Sequence, residues 1–403
     1  MPLPAETTAK PVALIVPLTL IACTGVSILS TDLYTPSLPH LPALLHSDAV
    51  TVQLTMSLNL MAYALAQLAH GPLADRFGRR RVLLGGLAGF LLASLACVVA
   101  SSIHELIAGR IAQGVFGSVQ SVVVLVMIRE LYGGARAVRI TGYYGMAIGL
   151  VPTVAPLLGG YVFIYAGWQA NFLLLSMIAG AVLAMTFFHV PETLPPPYRR
   201  IGIGALLWAY LQLLCMPAYL RYLLPMAAIF AGLFAFITAG PFVLIERLGV
   251  ATQHYGYYFG IVVLAFIAGS FCASRLASRR SARQLVAAAV LTSLLGGLGL
   301  LLPILMGYET LALIVGAMSV YAFGIGLILA GGPTALFDAV GHRPLGAAAA
   351  MAGAVEMGMA ALASLLVGLF YDGTALPMAV ICAVMAATAA LAFFGLSDRA
   401  SAR

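Results

Sequence analysis

The 403-residue chain is 62% hydrophobic and only 8% charged, with a mean hydropathy of +1.05 and a formal net charge of +7. Soluble domains hold roughly 45–50% apolar residues, so this composition excludes a soluble globular protein and points to an integral membrane one. The excess arginine sits in short segments between apolar runs, where it marks topology and not nucleic-acid binding.

The apolar runs are rich in Leu, Ala, Val and Gly and lack strand-like alternation. Each is near the roughly 20 residues that a spanning α-helix needs, so a helical bundle is expected and a barrel is not. Twelve spans are expected, at about 12–37, 50–69, 82–100, 104–127, 141–163, 170–190, 222–244, 255–274, 285–306, 310–332, 345–370 and 375–396. The five cysteines show no metal-ligand spacing and are expected to be inert core thiols. The seven histidines fall at loops or span ends, no nucleophile–base set is present, and no GxxxxGK[ST] loop occurs. Neither an intramembrane enzyme nor an ATP-driven pump is expected, and no metal or cofactor is implied.

The first span carries Thr31-Asp32-Leu33-Tyr34-Thr35-Pro36 near its outer end. Between the second and third spans lies Gly71–Arg81, GPLADRFGRRR, which the sequence predicts as a tight charged loop at the membrane exit. Its arginines place this side in the cytoplasm by the positive-inside rule. Arg110 lies inside a span and Arg247 falls on the opposite side, but nearly all other Lys and Arg share the side of this loop. That asymmetry requires an even number of spans with both termini cytoplasmic. The fourth span holds Leu106, Arg110, Gln113, Gly114 and Gly117; the fifth holds Gly145, Gly149, Pro152, Pro156, Gly159 and Gly160. Small residues give the fifth helix a flat face for close packing, and its prolines remove backbone donors and bend it.

Composition changes at Pro191–Pro197, and 203–219 then carries Trp208, Tyr210 and Tyr219 among leucines, as suits a helix lying at the cytoplasmic interface. The loop after the eighth span is a degenerate copy of the organising loop: Leu73-Ala74-Asp75-Arg76 aligns with Leu276-Ala277-Ser278-Arg279, and Arg80 with Arg283. The expected organisation is therefore a six-helix bundle over 1–190, a linker with an interfacial helix over 191–221, and a second six-helix bundle over 222–403.

Asp32, Arg110 and Glu356 are the formal charges well within the spans. Each costs a few kcal/mol to insert, which makes each a candidate functional residue. Asp32 and Arg110 are expected at similar depth. A carboxylate in apolar surroundings favours its protonated form and a neighbouring guanidinium favours the ionised one. A movable Asp32–Arg110 contact would let protonation and substrate compete, whereas a static pair would only tie two helices together. Glu356, near the midplane of the eleventh span, is expected to bind a cationic group or relay protons. Tyr63, Gln113, Phe234 and Tyr321 join Asp32 and Glu356 as candidate walls of a cavity for amphipathic ligands.

The order Gly71-x-Leu73-Ala74-Asp75-Arg76-x-Gly78-Arg79-Arg80 resembles the loop joining helices 2 and 3 of major facilitator superfamily transporters. The set around Arg110 resembles the helix 4 motif, which implies a part for Arg110 in proton coupling. The fifth-span set resembles the helix 5 antiporter motif. It departs at Ala155, where the general pattern has Gly, yet Ala155–Gly160 has the form usual in the Bcr/CflA group of drug:proton antiporters. Thr31–Pro39 and Ala239–Leu244 are similar to the same group.

The resemblance implies an all-α integral membrane fold of twelve transmembrane helices in two pseudo-symmetric six-helix bundles. It further implies proton-coupled efflux of small amphipathic drugs, amphenicol- or bicyclomycin-like, across the inner membrane by alternating access. The partners it implies are a drug, protons and the lipid bilayer, with a monomer as the working unit. A proton-coupled importer or exporter of a small metabolite or nutrient stays open as an alternative. The organising loop is expected to latch one conformation: Asp75 would face the N-terminus of the eleventh helix near Pro344, and Arg79 or Arg80 would meet Glu130.

Overall fold

The structure is a computed structural model that describes residues 14–132, 134–194, 203–340 and 345–396; Pro195–Arg200, Arg343 and Pro344 lie outside the described residues. The described residues contain no strand, and twelve helices are long and apolar enough to cross a membrane. We number these α1 Ile15–Asp32, α2 Ala49–Phe77, α3 Arg79–Val99, α4 Ile103–Tyr132, α5 Gly134–Ala166 and α6 Trp168–His189. The second set is α7 Pro217–Pro241, α8 Tyr255–Leu276, α9 Ala282–Leu305, α10 Leu311–Val340, α11 Leu345–Leu369 and α12 Leu376–Gly395. A further helix, Ile203–Leu214, precedes α7.

Local chemistry sets several boundaries. Asp48 starts α2, its carboxylate accepting from the Thr51 backbone N–H at 2.8 Å and the Thr51 hydroxyl at 2.7 Å. Ser281 and Gln284 form a reciprocal capping box at the start of α9. The organising run is not a loop. Gly71–Phe77 continues α2 past Pro72, and α3 begins at Arg79, so the only break is Gly78 at φ 97°. Glycine alone takes that conformation without strain, and one such residue reverses the chain. At the other end of α1, Tyr34 and Pro36 turn the chain into a 3₁₀ segment, Thr35–His40, where the sequence suggested that the span continues.

Helix packing repeats with a period of six helices. In the first set α2 packs on α4, α3 on α4 and α6, and α1 on α5 and α6; in the second α8 packs on α10, α9 on α10 and α12, and α7 on α11 and α12. The sets meet through two reciprocal seams, α2 with α11 and α5 with α8. The fold is thus a pair of pseudo-symmetric six-helix bundles. We call the end holding the α2–α3, α4–α5 and α8–α9 junctions the arginine-rich end, and the opposite one the far end.

At the far end the two bundles merge: Tyr34, Leu38, Met56 and Phe172 share one apolar core with Phe236, Phe242, Tyr255 and Phe259. The interfacial helix ends at Leu214, earlier than expected, because Pro217 opens α7. Trp208 is exposed, whereas Tyr210 is buried with its hydroxyl directed at the Leu68 carbonyl, 3.4 Å away. Tyr219, expected at the interface, is instead buried in α7 and donates to the Ala348 carbonyl at 2.7 Å. Arg221, read as a loop cation, is also buried in α7, its guanidinium over the Phe393 ring.

Candidate functional site

A cavity of about 270 Å³ lies where the bundles meet. Its two walls differ in chemistry. Helices α1, α2 and α4 contribute Ser27, Thr31, Asp32, Asn59, Tyr63 and Gln113; α7 and α8 contribute Phe230, Leu233, Phe234, Ile237, Phe259 and Phe266. Asp32 is the last residue of α1 and is 4% exposed. It is the one charged side chain on the lining. Its own carbonyl accepts from the Thr35 hydroxyl at 2.7 Å, which fixes the turn beyond it.

Arg110 is fully buried on α4, at the depth expected from Asp32, because its guanidinium donates to the Ser30 carbonyl of α1 at 2.8 Å. It also donates to Gln113 Oε1 at 2.7 Å, and Gln113 donates onward to Ser94 Oγ at 2.8 Å. The guanidinium lies 4.5 Å from the centre of the Tyr34 ring, whose hydroxyl pairs with Thr55 Oγ1 at 2.9 Å. Asn59 clamps the α4 backbone by donating to the Arg110 carbonyl at 2.6 Å. No ion pair joins Arg110 to Asp32. The cation is held by neutral partners, close enough to act on the carboxylate through space.

Of the other expected wall residues, Tyr63, Gln113 and Phe234 line the cavity. Tyr321 and Glu356 do not, and this corrects the expectation for both. Tyr321 is fully buried, with its hydroxyl against Gly232 of α7, so it packs inside the second bundle. Glu356 is one residue from the lining residue Met357 and acts electrostatically on Tyr219, away from the lining. These spanning helices are apolar nearly all round, so periodicity gave no phase by which to tell inward from sideways.

At the arginine-rich end Arg79 bridges Asp75 at 2.6 Å and Glu130 at 3.5 Å. Arg80 instead donates to the Phe187 carbonyl at 2.6 Å and stacks on the Phe187 ring. Arg76 lies over Phe77, and Gly71 is in ordinary contact with Val122 of α4. Pro344, where the eleventh helix was expected to face Asp75, lies outside the described residues. Glu192 was missed: its carboxylate accepts from the backbone N–H of Arg79 at 2.8 Å and of Arg80 at 3.2 Å. It thereby caps α3 from a distance in sequence, and Thr193 donates to Glu130 beside it. The acidic residue within Pro191-Glu192-Thr193 was the available signal, but it read only as part of a linker.

The α5 motif builds the second seam. A Cβ on Gly159 would sit 1.7 Å from the Leu33 carbonyl oxygen, and one on Gly160 2.8 Å from that of Thr252. Opposite, a Cβ on Gly256 would lie 2.3 Å from Leu157 Cα. Toward the arginine-rich end the seam loosens. A Cβ on Gly149, which with Pro152 lines the cavity, would meet Ile267 at an ordinary 3.6 Å, and one on Gly145 would enter open space. Gly145 is therefore not a close-packing residue, contrary to expectation. Pro156 lies inside the same helix between these regions. His40 completes the far-end closure, its Nε2 2.8 Å from Thr252 Oγ1 across the seam.

Two equivalent helical bundles around a shared cavity make a transporter architecture. The Major Facilitator Superfamily profile matches residues 20–364, and the chain belongs to that family. It is 32% identical over 372 residues to the MFS-type transporter YdgK of Bacillus subtilis (strain 168), covering 92% of each chain. It is 29% identical over 377 residues to the bicyclomycin resistance protein homolog of Haemophilus influenzae, covering 91% of this chain and 92% of that one. It is also 29% identical over 351 residues to multidrug resistance protein D of Escherichia coli (strain K12), covering 86% and 87%. A solved bacterial homologue of the human lysosomal transporter Spinster, inward-facing and unoccupied, superposes with a TM-score of 0.71 over 96% of each chain at 14% identity, a likeness of fold.

Proposed function

We propose that this protein exports small amphipathic drugs, amphenicol- or bicyclomycin-like, in exchange for protons. The observation that carries the reading is the divided cavity: a polar wall bearing Asp32 faces an apolar wall of phenylalanines. A ligand with one polar and one greasy side satisfies both walls, and relatives named for bicyclomycin and multidrug resistance support that class. The positive-inside rule assigns the arginine-rich end and both termini to the cytoplasm, which puts the merged far end on the periplasmic side. The bundles 1–190 and 222–403 rock about the α2–α11 and α5–α8 seams, and the Asp75–Arg79–Glu130 cluster latches one extreme of that motion. Gly71, Arg76, Gly78 and Arg80 shape the latch.

Exchange requires that proton and drug exclude one another at a shared element, or the gradient leaks without work. Asp32 serves as that element, and Arg110 sets its affinity for protons without pairing with it. Asp32→Asn mimics the protonated state, so it should bind or passively exchange drug while losing uphill efflux. The test is drug transport in inverted vesicles under an imposed proton gradient. Wild type should accumulate drug and Asp32→Asn should not. Full active transport by Asp32→Asn overturns the assignment; gradient-driven uptake only in right-side-out vesicles replaces the reading with a proton-coupled importer.

A further inference from the structure

Asp32 faces the second bundle as well as the first. Leu33 and Gly256 both pack on residues 157–159 of α5: the Leu33 carbonyl against Gly159, and Gly256 against Leu157. Their chain neighbours Asp32 and Tyr255 thus approach the same stretch of α5 from opposite bundles. One turn along α8 from Tyr255, Phe259 lines the same cavity as Asp32. The Tyr255 ring stacks on Phe259 with centroids 6.0 Å apart. The residue is fully buried, its hydroxyl has no hydrogen-bond partner, and Asp32 acts on it electrostatically. A hydroxyl left unpaired in an apolar interior is unfavourable, so such a group is retained where another state of the molecule supplies its partner.

We propose that Tyr255 is a positioning residue for the Asp32 carboxylate, its hydroxyl donating across the far-end seam when Asp32 is ionised. The proposal rests on the reading of Asp32 as the proton-exchanging element. It gives the second bundle a direct sense of the charge on the first: ionised Asp32 draws α1 and α8 together, and protonated Asp32 needs no such donor. The titratable and charged groups around the carboxylate are Arg110 from α4 and Tyr255 from α8, with Tyr34 and Cys97 behind the guanidinium. Tyr63 and Tyr144 stand on the cavity wall. Tyr255 is the one of these contributed by the second bundle.

The experiment needs no identified substrate. In purified full-length protein, infrared difference spectra across a pH series report the protonated-carboxyl band that Asp32→Asn removes, and its midpoint gives the proton affinity of that residue. Tyr255→Phe keeps the ring, its stacking on Phe259 and the seam packing, and removes only the donor. Loss of a hydrogen bond to the ionised form should move the midpoint upward by about half a pH unit or more. An unchanged or lowered midpoint in Tyr255→Phe, with the band still assigned to Asp32, overturns this inference alone. If Asp32→Asn removes no titrating band, both this inference and the underlying reading of Asp32 are overturned.

Discussion

The guanidinium of Arg110 lies 4.5 Å from the centre of the Tyr34 ring, with both side chains fully buried, and this pairing stands where an Arg110–Asp32 ion pair was expected. A buried charge is better tolerated when donors are satisfied and its face is covered. Here the Ser30 carbonyl and the Gln113 amide oxygen accept from Nη1 and an aromatic face covers the plane, while Nε has no hydrogen-bond partner. Asp32 is left without that ion pair.

Tyr34→Leu removes that cover. A desolvated cation–π contact is worth about 2 kcal/mol, so the variant should be destabilised by at least that amount in detergent unfolding. Tyr34→Phe keeps the ring and loses only the Thr55 contact, so its loss should be about 1 kcal/mol. Equal destabilisation by the two would show that the hydroxyl, not the ring, supports Arg110.

The α5–α8 seam predicts different outcomes for glycines of one motif. Gly159→Ala and Gly256→Ala place a Cβ against backbone that cannot yield, so both should abolish transport by preventing far-end closure. Gly145→Ala enters open space and should transport at close to the wild-type rate. Equivalent defects at Gly145 and Gly159 would show that the motif acts through something other than this packing.

The arginine-rich cluster predicts a kinetic effect. Asp75→Asn breaks a partly exposed ion pair worth about 0.2–1 kcal/mol, too little to unfold the protein. Maximal transport rate should fall while drug affinity stays within about twofold. Glu192→Gln keeps the shape of the α3 cap and removes its charge, and should weaken the same step by a similar margin. Normal turnover in both variants would reduce the cluster to a membrane anchor.

The residues whose burial among the spans the sequence anticipated are those whose chemistry is out of place in an apolar segment. Asp32, Arg110 and Gln113 stood out because charge and amide are costly there, and their depth followed from counting along spans. The facing of Tyr321 and Glu356 did not follow, since a helix apolar on all sides carries no marker of its inward face. Gly71–Phe77 was read as a loop because its polar residues resemble one. Polar residues are equally at home on a helical turn that has left the membrane, and only Gly78 demands a break. Glu192 and Tyr255 matter through partners far away in sequence, which composition and periodicity do not encode.

An acid-side stability limit follows from Asp48, in the connection before α2. The Thr51 hydroxyl, and then the Thr51 backbone N–H, hold its carboxyl below the usual value of 3.8. A group whose folded value is depressed stabilises fully above its unfolded value and loses that contribution as pH falls through the folded one. Stability from this cap should therefore be flat between about pH 5 and 8 and decline only below about 3.8. Asp48→Asn should retain a cap with no acid-side decline from this site, and Asp48→Ala should lose about 1 kcal/mol throughout. Unfolding curves collected across that pH range distinguish the three.

The far-end closure includes close contacts with main chain: the Leu33 and Thr252 carbonyls against Gly159 and Gly160, and Leu157 backbone against Gly256. The cavity, in contrast, is surfaced by side chains, its apolar wall being phenylalanine and aliphatic residues of α7 and α8. Substitutions at wall residues outside the shared far-end core, such as Phe230 and Leu233, leave those main-chain contacts in place. A transporter built this way can drift toward new ligands one wall residue at a time without first acquiring a leak.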